Sequence, residues 1–291
     1  MKDSIKYYYN LLDIDCFEKR DVYYFKSGNR LFSFEKVENL EKSKKTFTIL
    51  QKFDYIRGYK VVFNIYGNIF TQIGDEWYVL FLHVDEQSNI LKSLLHPINV
   101  IGMDSIDISF SWSYLWSKKI DYYEYQFEHI SDIYPLILES FNYYIGLAEN
   151  AISYFSYNLH SLDSFNLFLC HDRISESNYF NPLNIIIDYY PRDIAEYIKF
   201  LFFSNQYDGF SFDAFFGTLK FTYNDYILLF SRLLFPSYYF DIYDDVIRKK
   251  IRECELSKII ASASEYYKFL QEVYQAIFSF ANIPSIDWIK K

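Results

Sequence analysis

The order in which two hydrophobic periodicities follow one another constrains this chain most. Val22 to Phe25 and Leu31 to Phe34 are apolar runs joined across Ser27-Gly28-Asn29, a hairpin turn signal. A helix is expected from Leu40 to about Tyr55. Leu40, Phe47, Leu50 and Ile56 fall near helical spacing, Lys42, Lys44, Lys45 and Lys52 take the wet side, and Gly58 suits its end. Val61 to Ile65, Ile69 to Ile73 and Trp77 to His83 then read as strands, parted by Tyr66-Gly67-Asn68 and Gly74-Asp75-Glu76. Past Val84-Asp85-Glu86 the pattern turns helical. Helices are expected from Tyr134 to about Phe155, Pro191 to Phe203, Tyr223 to Leu234, Tyr238 to Arg252 and Ser257 to Phe280. Only Asn166 to Cys170 and Ile185 to Asp188 still look like strands. The pattern predicts an α+β protein, with a five-stranded β-rich part over residues 1–84 and a helical part over 85–291.

Composition narrows the function. Aromatic residues make up 22% of the 291 residues, yet Tyr, Phe, Ile, Asn and Lys are all abundant and Gly and Pro scarce. An AT-rich genome explains that bias more simply than a ligand cage does. A net charge of −9 argues against a protein that tracks nucleic-acid phosphates, for which a basic stripe is expected. Cys16, Cys170 and Cys254 are too far apart for a Cys-x-x-Cys motif, and their odd number points to free thiols in a reducing compartment. None of the histidines, His83, His96, His129, His160 and His171, has a partner at zinc-ligand spacing. Met1-Lys2-Asp3-Ser4 lacks a signal-peptide core, and no apolar run approaches the ~20 residues of a membrane span. A soluble cytoplasmic protein is expected.

The two late strands flank Cys170-His171-Asp172-Arg173, followed by Asn178 and Asp188. A phosphotransfer loop of the form His-x-Asp-x-x-x-x-Asn uses its Asp to take the acceptor proton. Its Asn, with an Asp beyond the next apolar strand, holds magnesium. His171, Asn178 and Asp188 stand at the matching places, but Arg173 occupies the base position. A guanidinium cannot accept a proton.

Four stretches carry a resemblance to a known family: Glu139 to Ile152, Asn181 to Asp188, Arg192 to Lys199 and Arg232 to Phe240. In order and in sequence they resemble spore-coat kinase-like proteins of the YutH type, relatives of the CotS and aminoglycoside phosphotransferase families. The resemblance implies a bilobal protein-kinase-like fold, with a small β-rich N-lobe and a large helical C-lobe. It also implies a part in endospore formation. Spore-coat or other protein partners follow, as does a place in the mother-cell cytoplasm with incorporation into the coat as a further step. Catalysis does not follow.

Set against that frame, the chemistry is depleted. The family's third-strand lysine, which holds nucleotide phosphates, falls on Glu35, with Lys36 one place along and on the opposite face. Lys36 is the cofactor-binding candidate only if the register shifts; otherwise it is a surface charge. No glycine-rich phosphate loop occurs. The catalytic candidates are His171, Asp172 and Arg173, with Asp172 a stand-in base if the backbone is displaced. Asn178 and Asp188 are metal candidates, or else a turn cap and the partner of a cation. Asp193 reads as a structural anchor of the helical part, and Glu149-Asn150 as bonded to nearby backbone. Asp241-Ile242-Tyr243-Asp244-Asp245 reads as a wet helix start. Arg173 is expected to grip Asp188 or Asp172 in place of the ion. Two readings remain open. One is a catalytically degenerate pseudokinase acting as a scaffold or interaction module. The other is an ATP- and magnesium-dependent phosphotransferase acting on a small hydroxylated or amine acceptor.

Overall fold

The computed structural model describes residues 1–11, 14–19, 22–53, 58–84, 89–100, 112–159 and 166–289. Within them the protein is α+β, with a small sheet region and a larger helical one. The chain groups into two compact units, Met1–His96 with His171–Ile187, and Pro97–Cys170 with Asp188–Lys291.

The first unit is built on α1 (Lys2–Tyr9), β1 (Asp15–Lys19), β2 (Val22–Ser27), β3 (Arg30–Val37), α2 (Leu40–Phe53), β4 (Tyr59–Val62), β5 (Phe70–Ile73), β6 (Glu76–His83) and α3 (Ile90–Leu94). The strands form one antiparallel sheet in the order β1-β2-β3-β6-β4, with β5 also on β6. It has six strands rather than the expected five, and β1 and α1 were not foreseen. Gly28, at φ 59°, takes the left-handed turn between β2 and β3, where a side chain would be strained. Alternation sorts the side chains by face. Phe32 and Phe34 of β3 and Tyr78 and Leu80 of β6 bury with Ile5 and Tyr9 of α1. Val37, Val79 and Phe81 point the other way, onto Phe47 of α2 and Leu183 of the loop. Asn39 opens α2 by accepting the Lys42 amide at 3.0 Å. The helix end expected near Tyr55, the connector at Asp85-Glu86, and His160 lie outside the described residues.

The second unit holds α4 (Trp112–Ile130), α5 (Pro135–Asn158), α6 (Pro191–Phe203), α7 (Phe212–Thr218), α8 (Tyr223–Leu234), α9 (Ser237–Ile247), α10 (Leu256–Ala261) and α11 (Ala263–Phe278). α4 and α7 were not anticipated, and the single helix expected from Ser257 to Phe280 divides at Ser262. The aromatic load goes largely into packing. Trp116 stacks on Phe235 with ring centres 4.5 Å apart, and Tyr144 on Tyr239 at 3.9 Å. The acidic run from Asp241 to Asp245 is not a helix start but lies inside α9, where Asp244 accepts the Tyr123 hydroxyl at 2.8 Å. Asn150 donates to the Gly146 carbonyl at 2.8 Å, the backbone bond expected of it, although the pair is exposed rather than buried. Strands β7 (Phe168–His171) and β8 (Ile185–Asp188) form a two-stranded sheet. Among the described residues no helix is long and apolar enough to cross a membrane.

Candidate functional site

The loop between β7 and β8 is closed by its own polar groups. The Asp172 amide donates to the Asn184 carbonyl at 2.8 Å. Asn184 Nδ2 in turn donates to the Arg173 carbonyl at 2.6 Å and the Asn178 carbonyl at 3.2 Å, and its Oδ1 accepts the Arg173 amide at 3.2 Å. Asn184 is therefore the clasp of the loop, a role no motif signalled. Asn178 Oδ1 accepts the Ser175 amide at 2.8 Å, so this candidate metal oxygen caps a turn. His171 is buried, with its ring stacked on Tyr179 at 4.1 Å.

Arg173 folds back on its neighbour. Its Nη1 donates to the Asp172 carbonyl at 2.6 Å and lies 3.4 Å from Asp172 Oδ1, with the two side chains 28% and 56% exposed. The expected contact with Asp172 exists, but it is wet, and the backbone oxygen is nearer than the carboxylate. Asp172 and Lys36 line a small cavity of about 220 Å³ together with Lys42, Ser43 and Leu183.

On β3 the inward side chain is Glu35, the residue that the resemblance matches to a kinase's phosphate-binding lysine, and it is buried. Ser33 Oγ donates to Glu35 Oε1 at 2.6 Å, and Asn181 Nδ2 of the loop donates to Oε2 at 2.6 Å. His83 Nε2 lies 2.8 Å from Ser33 Oγ. Since the hydroxyl proton goes to Glu35, His83 donates to Ser33 through Nε2–H. Burial pushes the Glu35 carboxyl above its ordinary 4.5, only partly offset by Ser33 and Asn181, and holds His83 below its ordinary 6.5. Lys36 alternates out of this face and pairs with Glu76.

Asp188 belongs to the second unit, and both oxygens of its carboxylate are engaged there. Oδ1 accepts Trp112 Nε1–H at 2.9 Å and the Tyr189 amide at 2.8 Å, while Oδ2 accepts Arg192 Nη1 at 2.9 Å. The cation on Asp188 is thus Arg192; of the two acids expected for Arg173, Asp172 is the one it meets. Magnesium demands octahedral oxygen ligation and binds through carboxylates left open to it. A carboxylate engaged by three donors, one of them permanently charged, does not fit that ion. Among the described residues no cluster of three His, Cys, Asp or Glu side chains is gathered for a metal.

Arg192 starts a buried charge ladder along α6. Asp188, Arg192, Asp193, Glu196 and Lys199 are all at most 8% exposed, and Arg232 of α8 joins them at 4%. Arg232 Nε donates to Glu196 Oε1 at 2.9 Å, and Lys199 Nζ to the Phe235 carbonyl and Ser237 Oγ at 2.9 and 3.0 Å. The Arg232 guanidinium also faces the Trp112 ring at 5.7 Å. Three acids and three bases balance, which permits their burial. Burial pushes the Cys170 thiol well up, helped by Asp193 and Asp188, which leaves it inert.

This arrangement sits on a known fold. The structure aligns with an aminoglycoside phosphotransferase from Alicyclobacillus acidocaldarius at a TM-score of 0.57 and 13% identity, covering 93% of this chain and 94% of that one. A spectinomycin phosphotransferase, solved with AMP, aligns at 0.52 and 12% identity, over 94% and 93%. At such identities the likeness concerns the fold alone. In sequence the chain is 29% identical over 210 residues to the endospore coat-associated protein YutH of Bacillus subtilis strain 168, spanning 62% of this chain and 61% of that relative. The model of the spore coat putative kinase YutH matches residues 2–273. With a match of that extent, the chain belongs to the YutH family of spore coat putative kinases.

Proposed function

We propose that the protein is a kinase-like member of the spore coat that has given up phosphotransfer and works there as a scaffold or interaction module. The observation that carries this reading is Asp188. Its two oxygens are held by Trp112, Tyr189 and Arg192, so the carboxylate that would face magnesium serves as a buried structural anion. Two further substitutions support it: the acid Glu35 stands in place of a phosphate-binding base, and the cation Arg173 in place of a general base. The coat role rests on family membership and on the coat-associated relative. Protein partners within the coat follow from that role.

One observation favours the alternative of an active phosphotransferase: exposed Asp172 lines a cavity with Lys36 and Lys42. Purified protein with Mg-ATP and a panel of hydroxylated and amine acceptors separates the two. The expected result is no acceptor-dependent ADP release and no Mg-ATP thermal shift. A ligand at a hundred times its Kd would stabilise the fold by about 2.7 kcal/mol. Spores carrying Asp172→Asn are expected to retain the protein in the coat fraction as the parent does. ADP release that Asp172→Asn abolishes would establish the enzyme instead.

A further inference from the structure

A second cavity is lined by residues of the helical unit. It has a volume of about 590 Å³, within the range of small-molecule sites. Its wall is aromatic: Tyr190 stands between Phe168, with ring centres 5.6 Å apart, and Phe221, at 5.5 Å and nearly perpendicular. Rings set edge and face around a gap bind a planar ring well. Asn166, Lys220, Thr222, Asn224 and Asp225 bring polar side chains to it. Among the described residues Lys220 forms no ion pair, and neither amide side chain forms a hydrogen bond. The lining acid is turned to its own helix through one oxygen: Asp225 Oδ2 accepts the Thr222 amide at 2.8 Å and the Thr222 hydroxyl at 2.7 Å, closing the cap of α8.

We propose that this pocket binds a planar organic anion, its ring held among Phe168, Tyr190 and Phe221 and its carboxylate on Lys220. A cationic ring would meet the Lys220 ammonium and be repelled. A neutral one would gain the stacking but leave that charge unanswered. The two amides can donate to the same carboxylate or accept from a ring substituent. The pocket does not depend on the phosphotransfer reading, because none of its lining residues belongs to the His171–Ile187 loop.

Three matched probes test it: naphthoate, naphthol and naphthylmethylamine, titrated onto the full chain by ligand-observed NMR. Naphthoate is expected to bind at least tenfold more tightly than either counterpart. Lys220→Met is expected to remove that preference, and Phe221→Ala to weaken naphthoate and naphthol alike. An unchanged circular dichroism melt would show that both variants fold. Should Phe221→Ala lose its fold, Asn166→Ala serves in its place, with weakened naphthoate expected. Equal binding of the amine, no binding of naphthoate, or a preference that survives Lys220→Met would each overturn the assignment.

Discussion

At the scale of single residues, the decisive feature is which cation faces which acid. Asp188 and Arg192 are both buried, and a charge left alone there cannot be solvated. Arg192→Met should therefore destabilise the protein by about 3 kcal/mol or more, read from urea midpoints. The double variant Asp188→Asn with Arg192→Met should recover much of the loss, because the stranded carboxylate is gone. The Arg173–Asp172 pair, by contrast, should show a coupling of under about 0.5 kcal/mol in a double-mutant cycle, since it is wet. A coupling there as large as that between Asp188 and Arg192 would contradict the assignment of the buried pair. Glu35 behaves in the opposite sense to a salt-bridged acid. Its folded pKa is raised, so the folded state holds the proton more tightly than the unfolded chain. Its favourable contribution is complete below the ordinary value of 4.5 and is lost as pH rises through the raised folded value. Glu35→Gln should thus raise the melting temperature at pH 7 relative to the parent, with the gain shrinking toward pH 4. A gain that grows on acidification would reject this account.

At the scale of elements, helices survive where both ends and the buried face agree. α8 has a complete capping box, with Asp225 N donating to Thr222 Oγ1 and Asp225 Oδ2 accepting from the Thr222 amide. Its body, from Tyr226 to Leu234, is buried throughout. Thr222→Ala should cost about 1 kcal/mol, seen as a shift of the denaturation midpoint without a change in slope. A neutral result would mean that packing alone fixes the helix start. Some elements were legible in the sequence: α6, α8 and β8 have the bounds expected of them, Pro191 to Phe203, Tyr223 to Leu234 and Ile185 to Asp188. α4 escaped notice although Trp112, Trp116, Ile120 and Tyr123 bury at helical spacing, because exposed Tyr114, Leu115, Tyr122 and Tyr125 blur the pattern. The alternation that puts Glu35 inward and Lys36 outward could be read locally. The bonds from Asn181 to Glu35 and from Trp112 to Asp188 could not, since they join residues 146 and 76 positions apart. Arg192 was nearer to view, four residues after Asp188, but the two straddle a strand end and a helix start, so no helical pairing rule applied.

At the scale of the molecule, the loop from His171 to Ile187 packs as part of the sheet unit. Asn181 bonds Glu35, Leu183 enters the cluster of Val37, Phe47 and Phe81, and Tyr59 donates to the Ser177 carbonyl at 3.4 Å. Phe180 lies against Gly58, where an added Cβ would come within 3.4 Å of it. A loop that must admit nucleotide and acceptor is drawn from the less stable parts of a fold. One tied at four points to a sheet should instead open only when the sheet does. Leu80→Ala tests this, because Leu80 is fully buried on the opposite face of the sheet and touches none of the loop's ties. Truncation of such a residue costs about 3 kcal/mol, enough to speed exchange of amides that open with the sheet by roughly a hundredfold. Native-state hydrogen exchange should show the Asp172, Tyr179 and Asn184 amides accelerating together with those of β3 and β6, while amides at the centre of α8 report the helical unit separately. If the loop amides kept their parent rates, or followed α8 instead, the loop would be an independent element. Its ties to Glu35 and Leu183 would then contribute little to holding it.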